Sequence, residues 1–213
     1  MGQLDRGRQA LRGSLGFGEP SSGQARVVGR ALMVVVIVAH PYPDKSRANR
    51  ALTRAIQGVP GVEVRSLYDL YPDYGIDVPA EQQALLRAST VVWQHPIYWY
   101  SAPALLKLWF EKVLLVGWAY GPGGTALHGK RCLWVASTGA DAQGYGPDGP
   151  HRFAFEAFVP VVQQTAQFCG MTWLDPIILH GAHRITLQEL DGSAARYRAR
   201  LEALVAEGEL RAG

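Results

Sequence analysis

The chain alternates short unbroken apolar runs with longer stretches in which apolar residues return every three or four positions. Ala31 to Ala39 (ALMVVVIVA) is a continuous, largely β-branched run. It predicts a central parallel strand buried on both faces. Ser46 to Ile56 sets Ala48, Leu52, Ala55 and Ile56 at helical spacing, so a helix follows. Val62 to Leu67 alternates and predicts a second strand. Residues 68–79 carry two prolines and predict a loop, then Pro79 to Ala88 a short helix with Glu81, Gln82 and Gln83 on its exposed side. Val91-Val92-Trp93 predicts the third strand, ended by Pro96, which has no N–H for a ladder and restricts the residue before it. Ser101 is placed to cap the next helix, with Pro103 in its first turn. Leu105, Leu106, Trp109, Phe110 and Val113 give that helix its core side.

Beyond a glycine-rich loop (117–129), Arg131 to Ser137 (RCLWVAS) predicts strand four, and 138–150 is a second glycine-rich loop. Phe153 to Cys169 predicts a long helix bent at Pro160, Thr172 to Leu179 a fifth strand, and Ser193 to Ala206 a closing amphipathic helix with Tyr197, Leu201, Leu204 and Val205 inward. Strands that alternate with helices predict an α/β fold: a parallel sheet, right-handed crossovers and helices on both faces. Five strands suit the flavodoxin-like order 2-1-3-4-5, with a ligand above strands one and three.

Composition refines this in three places. With 213 residues, 48% of them apolar and 18% charged, residues 31–213 make one ordinary domain. Residues 1–30 sustain no apolar period and lack the apolar stretch of a secretory signal; they predict a disordered basic tail, or an upstream start to a chain that begins at Met33. That tail carries the whole formal charge of +3, with five arginines against Asp5 and Glu19. The domain itself is balanced, which argues against a nucleic-acid partner. Cys132 and Cys169 have no metal spacing, no metal site is expected, and buried free thiols in a reducing cytosol are the expectation.

Four stretches are candidates for chemistry. His40 to Asn49 (HPYPDKSRAN) joins the first strand to the first helix, where free N–H groups and the helix dipole favour an anion. Ser46 can cap and donate to a phosphate oxygen, Asn49 can donate from its amide, and His40 can donate while neutral; a plain helix cap is the alternative. Ile97, Tyr98, Trp99 and Tyr100 form a loop of four large residues after strand three. Either they hold a flat heterocycle or they pack over the sheet edge. Ser137-Thr138-Gly139-Ala140 ends strand four, with a glycine that permits close approach of a ligand. Tyr145 and His151, in the loop beyond, can each donate to a carbonyl or its enolate, or stand by as loop residues. Gly124 to Lys130 has P-loop spacing, but Arg131 replaces the magnesium-binding hydroxyl and a strand follows rather than a helix, so it is rejected.

Taken together, the strand followed by His40-Pro41, the Ser-x-Ala-Asn at 46–49, PIYWYSAPALLKLWFEKV at 96–113, GWAYG at 117–121, STGA at 137–140 and the Tyr-x5-His of Tyr145 and His151 resemble the flavodoxin-like NAD(P)H:quinone oxidoreductases. Within that family, SLYDLYPDYGID, VVWQHP and GWAYGPGGTALHGK are similar to the ancillary subunits of bacterial glutathione-gated potassium efflux systems. The resemblance covers about residues 32–207. It implies a flavin, FMN as in the ancillary subunits or FAD as in the diaphorases. His40, Ser46, Arg47, Ala48 and Asn49 would hold its phosphate, Ile97 to Tyr100 its ring, and Ser137, Thr138, Gly139 and Ala140 would complete the ring's hydrogen bonds. Tyr145 and His151 would steady charge on the reduced ring. Trp118 and Tyr120 would line the substrate pocket across a homodimer. The implied activity is NAD(P)H dehydrogenase (quinone), with ping-pong exchange of NAD(P)H and a quinone. The alternative is a regulator docked on a membrane potassium/proton antiporter, with the flavin mainly structural. Either role implies a cytoplasmic protein, peripheral on the inner membrane in the second case.

Overall fold

The computed structural model describes residues 33–210; the predicted tail, 1–30, lies outside them. β1 (Met33–Val38) is central, paired in parallel with β2 (Val62–Ser66) on one side and β3 (Ala88–Pro96) on the other. β4 (Arg131–Ser137) follows β3, giving the order β2-β1-β3-β4-β5. The strand expected over 172–179 is split into β5 (Thr172–Trp173) and β6 (Ile177–Leu179), both parallel to β4. Pro176, without an N–H, stands in the gap between them.

Period-two alternation divides the core. Val35 and Ile37 of β1 join Trp93, Trp134 and the inner side of α4 (Ala104–Val113) on one face. Val34, Val36 and Val38 meet α1 (Arg47–Ile56) and α6 (Leu187–Leu210) on the other, with Leu52, Ile56, Tyr197 and Leu201 buried there. Both cysteines are free and buried. Among the described residues, no helix is long and apolar enough to cross a membrane.

Several boundaries depart from the pattern-based reading. The second strand stops at Ser66, and Leu67–Leu70, expected to be its last residue and the start of the loop, forms a one-turn helix, α2. Pro160 sits in the first turn of α5 (Val159–Phe168), after a 3-10 turn at Phe155–Phe158, so it starts that helix instead of bending it. Ser101 does not cap α4: its N–H and C=O both bond to Tyr98, and the helix begins after Pro103. α6 opens six residues earlier than expected on a capping box, in which Thr186 Oγ1 accepts from Glu189 N–H and Glu189 Oε2 accepts from Thr186 N–H.

The largest correction concerns α3 (Val78–Arg87). Glu81 is not on an exposed side; it is fully buried. Its carboxylate accepts from Arg65, from Tyr71 Oη at 2.6 Å and from Trp109 Nε1 at 2.8 Å.

Candidate functional site

Parallel strands put all their carboxyl ends on one edge of the sheet, and a cleft of about 330 Å³ opens there. Its walls are the segment after β1, the N-terminus of α1, the end of β3, the end of β4 and the turn after β6. His40, Ser46, Arg47, Ala48 and Asn49 line one end. Ile97, Tyr98, Ser137, Thr138 and Gly139 line the other.

At the α1 end the groups are donors. Ser46 Oγ accepts from Asn49 N–H at 3.1 Å, which caps the helix and leaves the hydroxyl proton for a ligand. The N–H groups of Arg47 and Ala48, in the first turn, have no acceptor within the helix. His40 Nδ1 accepts from Tyr42 N–H at 3.0 Å. Its hydrogen is therefore on Nε2, and burial lowers its pKa, so it is a neutral donor. Arg47 Nη2 donates to Ile185 O at 2.8 Å, tying this helix end to the segment after β6. Asn49 takes another part than expected: its Nδ2 donates to Ser137 Oγ at 2.9 Å, bridging α1 to β4 beneath the cleft, while Oδ1 has no partner.

The β3 end is strained. Tyr98 and Ser101 exchange two backbone hydrogen bonds of 3.0 Å across a tight turn. Its central residues, Trp99 and Tyr100, have φ of 49° and 62°. Turns of this kind normally take Asn-Gly; a bulky residue there costs about 1–3 kcal/mol. The turn holds the Trp99 side chain 93% exposed. Trp99 and Tyr100 border the cleft rather than line it.

Within Ser137–Ala140 most polar groups serve the frame. Ser137 O accepts from Ile97 N–H, Thr138 N–H donates to Leu179 O, and Ala140 O accepts from Gly181 N–H. Gly139 is left on the cleft wall, and a Cβ there would come within 3.2 Å of the His183 ring.

Tyr145 and His151 are brought together: their rings stack at 4.4 Å, and Tyr100 Oη lies 3.3 Å from His151 Nδ1. Burial raises the pKa of Tyr145. Trp118 and Tyr120 are not brought to the cleft within one chain. Tyr120 lies in a groove of about 480 Å³ between α4 and α5, against Phe168. Tyr42, Lys45, Ala182 and His183 line the cleft without having been anticipated. The first two lie inside the HPYPDKS loop already singled out; His183 follows the short last strand and has no motif to mark it. His95, by contrast, is a satisfied core residue. Nε2 accepts from Trp134 Nε1 at 2.8 Å, Nδ1 bonds to Pro96 O, and burial lowers its pKa to about 4.

The model of a family described by its flavodoxin-like fold matches residues 33–201. The chain belongs to this family. Its sheet order is the one that fold requires. Solved structures similar to it include a thermophilic tryptophan halogenase from Streptomyces violaceusniger, 40% identical over 77% of this chain and 95% of that one, with a TM-score of 0.74. General stress protein 14 of Treponema denticola, solved in complex with FMN, is 36% identical over 81% and 99%, with a TM-score of 0.74. An NADPH-quinone reductase from P. pentosaceus is 26% identical over 80% and 98%, with a TM-score of 0.72. These names span different activities, so the activity of this chain has to be argued from its own site.

Proposed function

We propose that this protein is a flavin-dependent NAD(P)H:quinone oxidoreductase that holds FMN in the cleft. The observation that carries the reading is one cleft with a donor-rich anion site at the α1 end and a strained aromatic turn at the β3 end. The residues fit the group. An anion suits the N–H groups of Arg47 and Ala48, the Ser46 hydroxyl and the neutral Nε2–H of His40. A flat apolar ring suits Ile97, Tyr98 and the bare backbone of Gly139. The FMN complex of the Treponema denticola relative supports FMN over FAD.

When bound, the flavin would supply hydride acceptance from NAD(P)H and delivery to a quinone, in ping-pong exchange. The chain supplies orientation and charge. His40 and Ser46 would hold the phosphate. The Tyr98–Ser101 turn would help to hold the ring, with the exposed Trp99 beside it limiting access of water. Tyr145 and His151, already in contact, would stabilise negative charge on the ring.

A homodimer belongs to the same proposal. Val161 and Phe168 lie seven residues apart on α5, both more than 60% exposed, beside the groove that holds Tyr120. A second copy packed there would cover that apolar strip and bring Trp118 and Tyr120 to its partner's cleft. Sedimentation of the wild type and of Phe168→Asp tests it; a wild type that is monomeric at all concentrations ends it.

The function is tested on purified protein. Its flavin is released and identified, then NADPH and a quinone are added in turn without oxygen. The expected result is bleaching by NADPH and return of colour with quinone. Tyr145→Phe with His151→Ala should slow the bleaching strongly. Absence of any flavin overturns the reading. Bound flavin that neither bleaches nor turns over would favour the ancillary-subunit role at a potassium/proton antiporter.

A further inference from the structure

A second opening lies on the same edge of the sheet, beyond one wall of the cleft. It is a groove of about 490 Å³ between the loop after β4, the turn after β6 and the first turns of α6. The wall between the two is thin. Gly139 lines the cleft and Asp141 the groove; Ala182 and His183 line the cleft, Gly181 and Arg184 the groove. Residues two apart have Cα atoms at most about 7.6 Å from each other. The ridge is tied together by Gly181 N–H, which donates to Ala140 O at 2.8 Å, and Ala182 N–H, which donates to Thr138 O at 2.9 Å. His180 lines the groove, and its ring centroid is 5.7 Å from that of Tyr145. A ligand that reacts in the cleft with one end can therefore rest its other end in the groove.

The charged groups of the groove divide into committed and uncommitted. The carboxylates serve the frame. Asp141 Oδ1 accepts from Gly144 N–H at 3.0 Å, and Glu189 Oε2 accepts from the Thr186 N–H at 2.9 Å and its hydroxyl at 2.7 Å. The guanidiniums have donors to spare. Arg184 is exposed, and its ion pair with Asp141 is 3.8 Å long. Arg196 Nη2 donates to Ser193 Oγ at 3.0 Å, and the Ser193 proton goes to Glu189 O at 2.8 Å. Among the described residues no carboxylate pairs with Arg196. Gly192 stands one turn before it. Glycine inside a helix is unfavourable relative to alanine, and a Cβ there would lie 3.5 Å from Arg196 Nη1. Its absence keeps the groove open beside that fork. Guanidinium forks with spare N–H groups match a phosphate monoester, which they take through paired hydrogen bonds.

We propose that this groove receives the adenosine end of NADPH, and that Arg184 and Arg196 read its 2′-phosphate. The inference rests on the NAD(P)H:quinone reading of the cleft and gives that reaction its donor. NADH carries a hydroxyl where NADPH carries this phosphate, so it leaves both arginines without their anion.

The test compares wild type, Arg184→Gln, Arg196→Gln and Arg198→Gln in the full chain with FMN in excess. Arg198 lies on the same helix outside the groove, paired with Glu202, and controls for the loss of a positive charge alone. In steady-state quinone reduction, wild-type kcat/KM should be about tenfold or more higher with NADPH than with NADH. Each groove variant should lose about tenfold with NADPH, the scale of one hydrogen bond to a charged group, and nothing with NADH. Their kcat at saturating NADPH should hold, because the phosphate is bound alike in the ground and transition states. Arg198→Gln should behave as wild type. The second readout needs no turnover: calorimetric binding of adenosine 2′,5′-bisphosphate. It should bind wild type about tenfold more tightly than 5′-AMP does, and lose that advantage in Arg196→Gln. A wild type that takes NADH as well as NADPH overturns the proposal. So do equal losses with both donors in the groove variants, a matching loss in Arg198→Gln, or bisphosphate binding that the groove variants leave intact. Absence of flavin or of any quinone reduction would remove the reading of the cleft, while bisphosphate binding would still decide the groove.

Discussion

Two polar clusters in this molecule are built to opposite specifications. Around Glu81 every group has a partner: one carboxylate takes Arg65, Tyr71 and Trp109, fully buried, on one face of the sheet. At the cleft, Asn49 Oδ1 and, beneath it, Gln94 Oε1 have no partner, and two aromatic residues are held at positive φ. A buried polar group is tolerable when satisfied and costly when not. The first cluster therefore reads as frame. The second carries costs that the fold does not need, and such costs concentrate where a ligand binds.

The sharpest way to break that contrast is at the frame. Glu81→Ala would leave Arg65 charged with only Glu63 near it, and strand the Tyr71 hydroxyl and the Trp109 N–H in the core. Losing one partner of a buried pair costs about 3–5 kcal/mol. Urea denaturation should show that loss in the apo protein, and FMN affinity measured below the transition should be unchanged. A loss under 1 kcal/mol would mean that the cluster is not the frame described here.

Acid provides the next test. His95 is buried neutral, with its pKa lowered by burial from the usual 6.5 to about 4. Below 6.5 the unfolded chain binds a proton that the folded chain refuses. The stability due to the neutral ring is therefore complete above pH 6.5 and drains away as pH falls towards 4. The full loss is about 3 kcal/mol. Stability curves for wild type and His95→Gln between pH 7 and 4 should converge as the acid limb is descended; parallel curves would contradict the buried neutral histidine.

How much of this the sequence disclosed depends on the range of the interactions. The strands and their order were legible, because β-branched runs such as Val34 to Val38 report burial locally and handedness limits the rest. Ser46 was legible for the same reason: a cap acts three residues away. Glu81 was not, since nothing in Glu-Gln-Gln announces that Arg65, Tyr71 and Trp109 converge on it from three other elements. His183 was missed likewise, because it reaches the site through a turn after a three-residue strand. The positive φ of Trp99 and Tyr100 was hidden too, since neither residue is a turn former.

That turn gives the third test. Trp99→Asn with Tyr100→Gly puts the residues the backbone favours into the turn and should raise stability by about 2 kcal/mol. If the strain serves the ring, FMN binding should weaken in the same variant. A protein both more stable and equally tight for FMN would remove the aromatic turn from the site.

The smallest effect separates the clusters most cleanly, because the molecule supplies its own control. Ser46 caps α1 at the cleft by accepting from Asn49 N–H at 3.1 Å. Asp77 caps α3, the helix that carries Glu81, by accepting from Ala80 N–H at 3.0 Å. Loss of either cap should cost about 1 kcal/mol, since each strands one N–H. Ser46→Ala also removes the hydroxyl offered to the phosphate, so FMN affinity should fall about tenfold, the scale of one hydrogen bond to a charged group. Riboflavin, which lacks the phosphate, should bind Ser46→Ala as it binds wild type. Asp77→Ala should match the stability loss and leave both affinities alone. Equal loss of FMN and riboflavin in Ser46→Ala would mean that the serine only holds the helix end in place, and that the anion is bound elsewhere in the cleft.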